Sequence, residues 1–137
     1  MPLIVLIFTG GTISMRHDAV AGGAVPALSG KEILAATRGI EQVARVEIDE
    51  FGSYPGPHMT VERMWALRAC IARHLARADV SGVVVTHGTD SLEESAYLIA
   101  RSLPADKPVG PPPAGRSISV MTPSGVTRPS LPAFVNQ

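Results

Sequence analysis

Hydroxyl and carboxylate groups sit on two short glycine-bearing turns of this chain, each directly behind an apolar run. The first turn is Thr9-Gly10-Gly11-Thr12-Ile13, behind Leu3-Ile4-Val5-Leu6-Ile7-Phe8. The second is His87-Gly88-Thr89-Asp90, behind Val83-Val84-Val85-Thr86. Glycines just beyond a buried strand let backbone and small side chains approach a ligand closely, at the strand ends where open α/β sheets bind. A lone Gly-Gly turn behind a strand is usually only a turn. Here the pattern is doubled, and one turn adds a carboxylate, so the two read as halves of one site. It is not the dinucleotide fingerprint, because no G-x-G-x-x-G follows the first run, and it is not a P-loop, because no G-K-[ST] closes it.

The elements that must position these turns alternate along the chain. Runs apolar on both faces, such as Leu3–Phe8, read as strands buried in a parallel sheet. A loop with Arg16, His17, Asp18 and Gly22-Gly23 leads to Ser29 and Glu32, whose spacing is that of a capping box opening a helix to Thr37. Residues 43–48 read as a second strand, with Val46 and Ile48 on one face and Arg45 and Glu47 on the other. Gly52-Ser53-Tyr54-Pro55-Gly56-Pro57 is turn chemistry. Thr60 caps the next helix, in which Met64, Leu67, Ile71 and Leu75 form a stripe at helical spacing. Gly82 leads into a third strand, and Ser91 with Glu94 repeats the capping-box spacing ahead of a helix to Ser102. The order β-α-β-α-β-α implies an α/β fold, a doubly wound, mainly parallel sheet with helices on its faces.

Composition narrows the function classes. The 137 residues are 45% apolar, with 12 basic and 12 acidic residues and a formal charge of zero, and a mean hydropathy of +0.20. That is the profile of a globular domain, with no electrostatic case for nucleic acid or an anionic membrane as partner. No run reaches the length of a transmembrane helix, and the first strand is too short for a signal-peptide core, so a cytoplasmic location is expected. The single cysteine, Cys70, excludes an internal disulfide and reads as helix packing. His58 and His74 show no sequence pairing with cysteine or carboxylates at ligand spacing, so neither metal nor cofactor is expected. Trp65 and Tyr97 lie on helices and read as core.

T-G-G-T-I near the amino terminus, followed by V-V-V-T-H-G-T-D-S-L-E-E-S-A-Y, closely resembles the bacterial-type L-asparaginase/glutaminase family. The resemblance runs from Leu3 to Val109. It implies a flavodoxin-like sheet and a partial asparaginase-like amino-terminal α/β domain over residues 1–109. It also implies hydrolysis of L-asparagine, with L-glutamine as a further substrate, to the acid and ammonia. On the family's pattern Thr12 attacks the side-chain amide, Thr89 assists, and Asp90 binds the substrate's α-amino group. Backbone amides around Gly11, Gly88 and Thr89 are candidate donors to substrate or oxyanion, and Ser53 is the candidate for the substrate carboxylate. His87 matches the motif as a residue that positions the turn. The family completes its sites with a carboxy-terminal domain and a neighbouring subunit, so a homo-oligomer is expected.

Activation of the nucleophile departs from the family. A neutral hydroxyl needs a positioned base, and the family uses a lysine beside the second threonine and a tyrosine on the loop after the first. No tyrosine lies between Ile13 and Ser29, and the lysines, Lys31 and Lys107, match neither role. His17 could stand in for the tyrosine or be an ordinary solvated loop histidine. The last segment changes character: eight of the 12 prolines fall between Pro104 and Gln137, including Pro111-Pro112-Pro113. Lys107-Pro108-Val109 approaches a fourth strand, and the proline triplet stands where the family continues it. Residues 110–137 therefore read as a Pro-rich divergent tail, with a truncated or frame-shifted reading frame as the other explanation. Two functional alternatives stay open: a non-catalytic amino-acid-binding module, and an inactive asparaginase-like fragment.

Overall fold

A computed structural model describes residues 1–11, 14–26, 28–103, 120–122 and 125–127. Its main sheet is built around β1 (Leu3–Phe8). On one side β1 pairs in parallel with β4 (Arg45–Glu50), and on the other with β5 (Val80–Thr86). A short strand β6 (Val120–Thr122) lies parallel to β5, and β7 (Gly125–Thr127) runs antiparallel to β6. The order β4-β1-β5-β6-β7 means that the chain winds from β1 first to one side and then to the other. A crevice at the carboxyl ends of β1 and β5 follows from that reversal.

Alternation along β1 divides the core between two faces. Leu3, Val5 and Ile7 join Leu67, Cys70 and Ile71 of α2 (Val61–Leu75) and Ala96 and Ile99 of α3 (Leu92–Ser102) in one buried cluster. On the opposite face, α1 (Gly30–Ala36) comes so close that a Cβ on Gly30 would lie 3.1 Å from Phe8 Cβ and 3.2 Å from Ile48 Cγ2. In β5 the register slips between Leu3 and Ile4, so Val80 shares the α2 face with Val83 and Val85 although its sequence parity differs. The expected stripe of α2 is largely as read: Met64, Leu67 and Ile71 are buried, and Leu75 packs partly against the cluster. Helix starts divide. The Ser29–Glu32 capping box is present in both directions, and Thr60 accepts from the Arg63 amide. Ser91 makes no side-chain capping bond, because a 3-10 turn over Thr89–Ser91 leads into α3 instead.

Several local expectations are corrected. The loop after the first turn contains a hairpin, β2 (Met15–Asp18) against β3 (Gly23–Pro26). Its four-residue strands, Met15-Arg16-His17-Asp18 and Gly23-Ala24-Val25-Pro26, carry no alternation to read, and Asp18 Oδ1 closes it by accepting from the Val20 and Ala21 amides at 2.7 and 3.0 Å. The second strand begins at Arg45 rather than residue 43. Trp65 and Tyr97 are not core: they are 50% and 64% exposed, beside the buried stripes of their helices rather than on them. Trp65 instead has the Arg68 guanidinium 5.6 Å from its ring centre. A further strand, β6, stands beyond the proline triplet, and residues 107–109, read as the approach to a fourth strand, lie outside the described residues.

Candidate active site

Three segments meet at the carboxyl ends of β4, β1 and β5, and backbone contacts hold them together. Thr9 extends the β1–β5 pairing one step past the strands: its amide donates to Thr86 Oγ1 at 3.2 Å, and its hydroxyl donates to the Thr86 carbonyl at 2.5 Å. Both threonines are buried. On the other side, the Gly52 amide donates to Phe8 O at 3.2 Å and the Tyr54 amide to Thr9 O at 2.8 Å, which ties the turn after β4 to the first turn. The first turn then folds back on itself, with the Ser14 amide and hydroxyl both donating to the Gly11 carbonyl, at 3.0 and 2.7 Å.

The glycines set how close these segments come. Gly10 and Gly11 have φ of +89° and +95°, a region other residues rarely adopt. A Cβ on Gly10 would lie 3.2 Å from Ser53 Cα and Oγ and 3.1 Å from the Tyr54 nitrogen. A Cβ on Gly11 would lie 2.8 Å from both the Gly88 nitrogen and the His87 carbonyl carbon. Gly11 and Gly88 thus stack backbone on backbone, and no side chain could separate them.

His87 braces the second turn. It is buried, and its Nδ1 lies 2.7 Å from the Gly88 carbonyl while Nε2 lies 2.8 Å from Ser95 Oγ on α3. A carbonyl can only accept, so Nδ1 carries the proton and Nε2 accepts from the serine hydroxyl. Burial holds the His87 pKa below the ordinary histidine range, with the Gly88 carbonyl and the Glu94 charge opposing the shift more weakly. Both nitrogens are occupied by the scaffold, so the ring is a strut rather than a base.

Of the residues singled out from sequence, Gly11, Gly88 and Ser53 are brought together, Ser53 through its contact with Gly10. Thr89 and Asp90 follow Gly88 directly and are exposed in the 3-10 turn at the crevice. Thr12 lies outside the described residues, between Gly11 and Ser14, as does Lys107. Lys31 is on α1, where its backbone amide faces Glu50 at 3.3 Å. Sequence reasoning passed over Thr9, Thr86 and Ser95, whose signal was a polar residue at the end of each apolar run and one helical turn into α3.

It also passed over a second polar cluster. Asp49 of β4 faces α2, where one carboxylate oxygen meets His74 Nε2 at 2.6 Å, Cys70 Sγ at 3.3 Å and Arg73 Nη2 at 3.1 Å. The reading that His74 pairs with neither cysteine nor carboxylate is therefore corrected: Cys70 and His74 are one helical turn apart on the same face, and the sheet supplies the acid. His74 is the largest cause holding the Asp49 carboxyl below its usual range. Desolvation, then the Asp49 hydrogen bond, push the Cys70 thiol up to about 11, so the sulfur is a protonated donor rather than a nucleophile.

The chain matches the family model described as Asparaginase, N-terminal over residues 3–126, a span reaching past residue 109 and into β7. It is 38% identical over 109 residues to a protein named Probable L-asparaginase from Deinococcus radiodurans, covering 80% of this chain and 31% of that one. It is 34% identical over 106 residues to the L-asparaginase of Bacillus licheniformis, covering 77% and 33%. Among solved structures it resembles the probable cytoplasmic L-asparaginase of Campylobacter jejuni, with a TM-score of 0.71 and 30% identity over 79% of this chain and 33% of that one. The chain spans about a third of the length of these relatives.

Proposed function

This chain belongs to the asparaginase family, and we propose that it forms the amino-terminal part of an amidohydrolase site that converts L-asparagine, and L-glutamine as a second substrate, to the acid and ammonia. The observation that carries this reading is the backbone stacking of Gly11 on Gly88 at the crevice between β1 and β5. That contact brings the end of the first turn onto the turn that presents Thr89 and Asp90. In this reading the Thr12 hydroxyl attacks the side-chain amide carbon, and ammonia leaves the tetrahedral adduct to give an acyl-enzyme ester that water then hydrolyses to the acid. Thr89 assists at the same carbonyl, Asp90 pairs with the α-ammonium, Ser53 receives the α-carboxylate, and the amides of Gly11, Gly88 and Thr89 are the candidate oxyanion donors.

The chemistry also defines what else the site needs. His87 is committed to the scaffold, and Lys31 is on α1, so neither activates Thr12. A hydroxyl with no base stays protonated near neutral pH, and losing one such group commonly costs about a hundredfold or more. Slow turnover by these 137 residues alone, and association into a homo-oligomer, belong to the same proposal, as does the reading of residues 110–137 as a divergent tail. The test is ammonia release by the full chain, alongside calorimetry with L-aspartate. Thr12→Ala should abolish ammonia release while keeping aspartate binding. Asp90→Ala should weaken aspartate roughly ten- to a hundredfold, the worth of a charge-assisted contact of about 1.5–3 kcal/mol. Aspartate binding in the complete absence of ammonia release would favour the amino-acid-binding module, and turnover unchanged in Thr12→Ala would remove Thr12 as nucleophile.

A further inference from the structure

The cluster on the α2 flank is built from three different donor types, and the active-site reading uses none of them. Asp49 Oδ2, Cys70 Sγ and His74 Nε2 all lie within 4.8 Å of one another. Cys70 and His74 are buried, and the Asp49 side chain is 24% exposed, so the group is closed on the core side and open on one edge. We propose that Asp49, Cys70 and His74 form a binding site for a divalent transition-metal cation of the zinc type, which staples α2 to β4.

Donor chemistry selects the ion. A thiolate, an imidazole and a carboxylate suit zinc or cobalt and not magnesium or calcium, which take oxygen ligands. Bonds of about 2.3 Å to sulfur and 2.0–2.2 Å to nitrogen and oxygen in a tetrahedral shell require ligand atoms roughly 3.3–3.5 Å apart. Cys70 Sγ and Asp49 Oδ2 are already at 3.3 Å, and His74 Nε2 has only to open from its 2.6 Å hydrogen bond. The fourth position falls on the solvent edge and would take water.

Charge balances as well. Two arginines adjoin the cluster. Arg77 is matched by Glu47 at 2.6 Å and Asp79 at 2.9 Å, and Arg73 has a side chain 67% exposed that can turn into solvent. On binding, Cys70 releases its thiol proton to solvent and the imidazole shifts its proton from Nε2 to Nδ1. Sulfur, Nε2 and one carboxylate oxygen each donate an electron pair, and nothing is oxidised or reduced. Arg77 Nη1, at 3.5 Å from Nδ1, must then draw back, and it keeps Glu47 Oε1, now at 2.6 Å, as its acceptor.

Cobalt(II) added to the chelator-treated full chain tests this directly. Cys70 is the one cysteine of the sequence, so a sulfur-to-cobalt charge-transfer band reports that residue alone. The expected result is one cobalt per chain, with the band present, one proton released, and a raised melting temperature. Cys70→Ser should remove the band. His74→Asn and Asp49→Asn should weaken cobalt more than the roughly 10–100-fold cost of losing an outer-shell partner. X-ray absorption of the wild-type complex should count one sulfur, and it decides the matter even if a variant fails to fold. No thiolate band, two sulfurs per metal from joined chains, or unchanged affinity in His74→Asn would each overturn the site.

Discussion

The two polar clusters of this sheet lie on neighbouring strands and are held by opposite means. At the β1–β5 crevice the contacts are neutral and made largely by backbone: a threonine hydroxyl on a carbonyl, an amide on a threonine hydroxyl, an imidazole on a carbonyl, and glycine against glycine. On the β4–α2 flank they are made by side chains around two carboxylates, Asp49 with His74 and Arg73, and Glu47 with Arg77. Backbone stacking leaves no slack, because neither partner can rotate away. Long side chains with water at one edge adjust to a loss. The site end should therefore be intolerant of a single added methyl, and the flank tolerant of much larger changes.

Gly11→Ala would sharpen that contrast most. The new methyl would sit 2.8 Å from two backbone atoms at a φ of +95°. Left-handed strain and overpacking together should destabilise the fold by about 2–4 kcal/mol. Urea unfolding measures it. A variant within about 0.5 kcal/mol of wild type would mean that the two turns part easily and that the comparison is wrong.

Asp49→Ala is the corresponding change on the flank. It removes the acceptor shared by His74, Cys70 and Arg73. Hydrogen bonds to a charged acceptor are worth about 1.5–3 kcal/mol in protected settings, and solvent at the Asp49 edge should bring the loss to about 1–2 kcal/mol in metal-free buffer. A loss larger than that of Gly11→Ala would reverse the ranking of the two regions.

How far each region was legible from sequence follows from the same difference. The crevice announces itself locally: Gly10, Gly11 and Gly88 are adjacent to the strands that place them, and the Ser29–Glu32 box marks its helix within four residues. The flank depends on Asp49 meeting Cys70, Arg73 and His74, contacts that exist only once α2 has packed on β4. No spacing along the chain encodes it, although Cys70 and His74 did share a helical face. The hairpin Met15–Pro26 was hidden because its four-residue strands carry no alternation. The slip in β5 was hidden because register belongs to the partner strand. Trp65 was misplaced because size and apolarity were taken for burial, while the stripe through Leu67 and Ile71 had already filled that face.

The smallest expected effect tests His87, the buried imidazole of the crevice. His87 is neutral in the fold, and its pKa there is below the unfolded value of about 6.5. For a histidine shifted this way, the unfolded chain takes up the proton first as pH falls. The stability that comes from keeping the ring neutral is thus complete above about pH 6.5 and is lost as pH drops through the lower folded value. Asp49, Glu47 and Asp18 are held below their ordinary values of 3.8, 4.5 and 3.8, so they titrate in a separate, more acid window. Ser95→Ala, which takes the donor from Nε2, should cost about 1 kcal/mol at pH 8. His87→Gln should flatten the limb that starts near pH 6.5 while leaving the carboxylate limb in place. If melting temperature falls just as steeply from pH 7 to pH 5 in His87→Gln as in wild type, the ring is not the group that ties the second turn to α3.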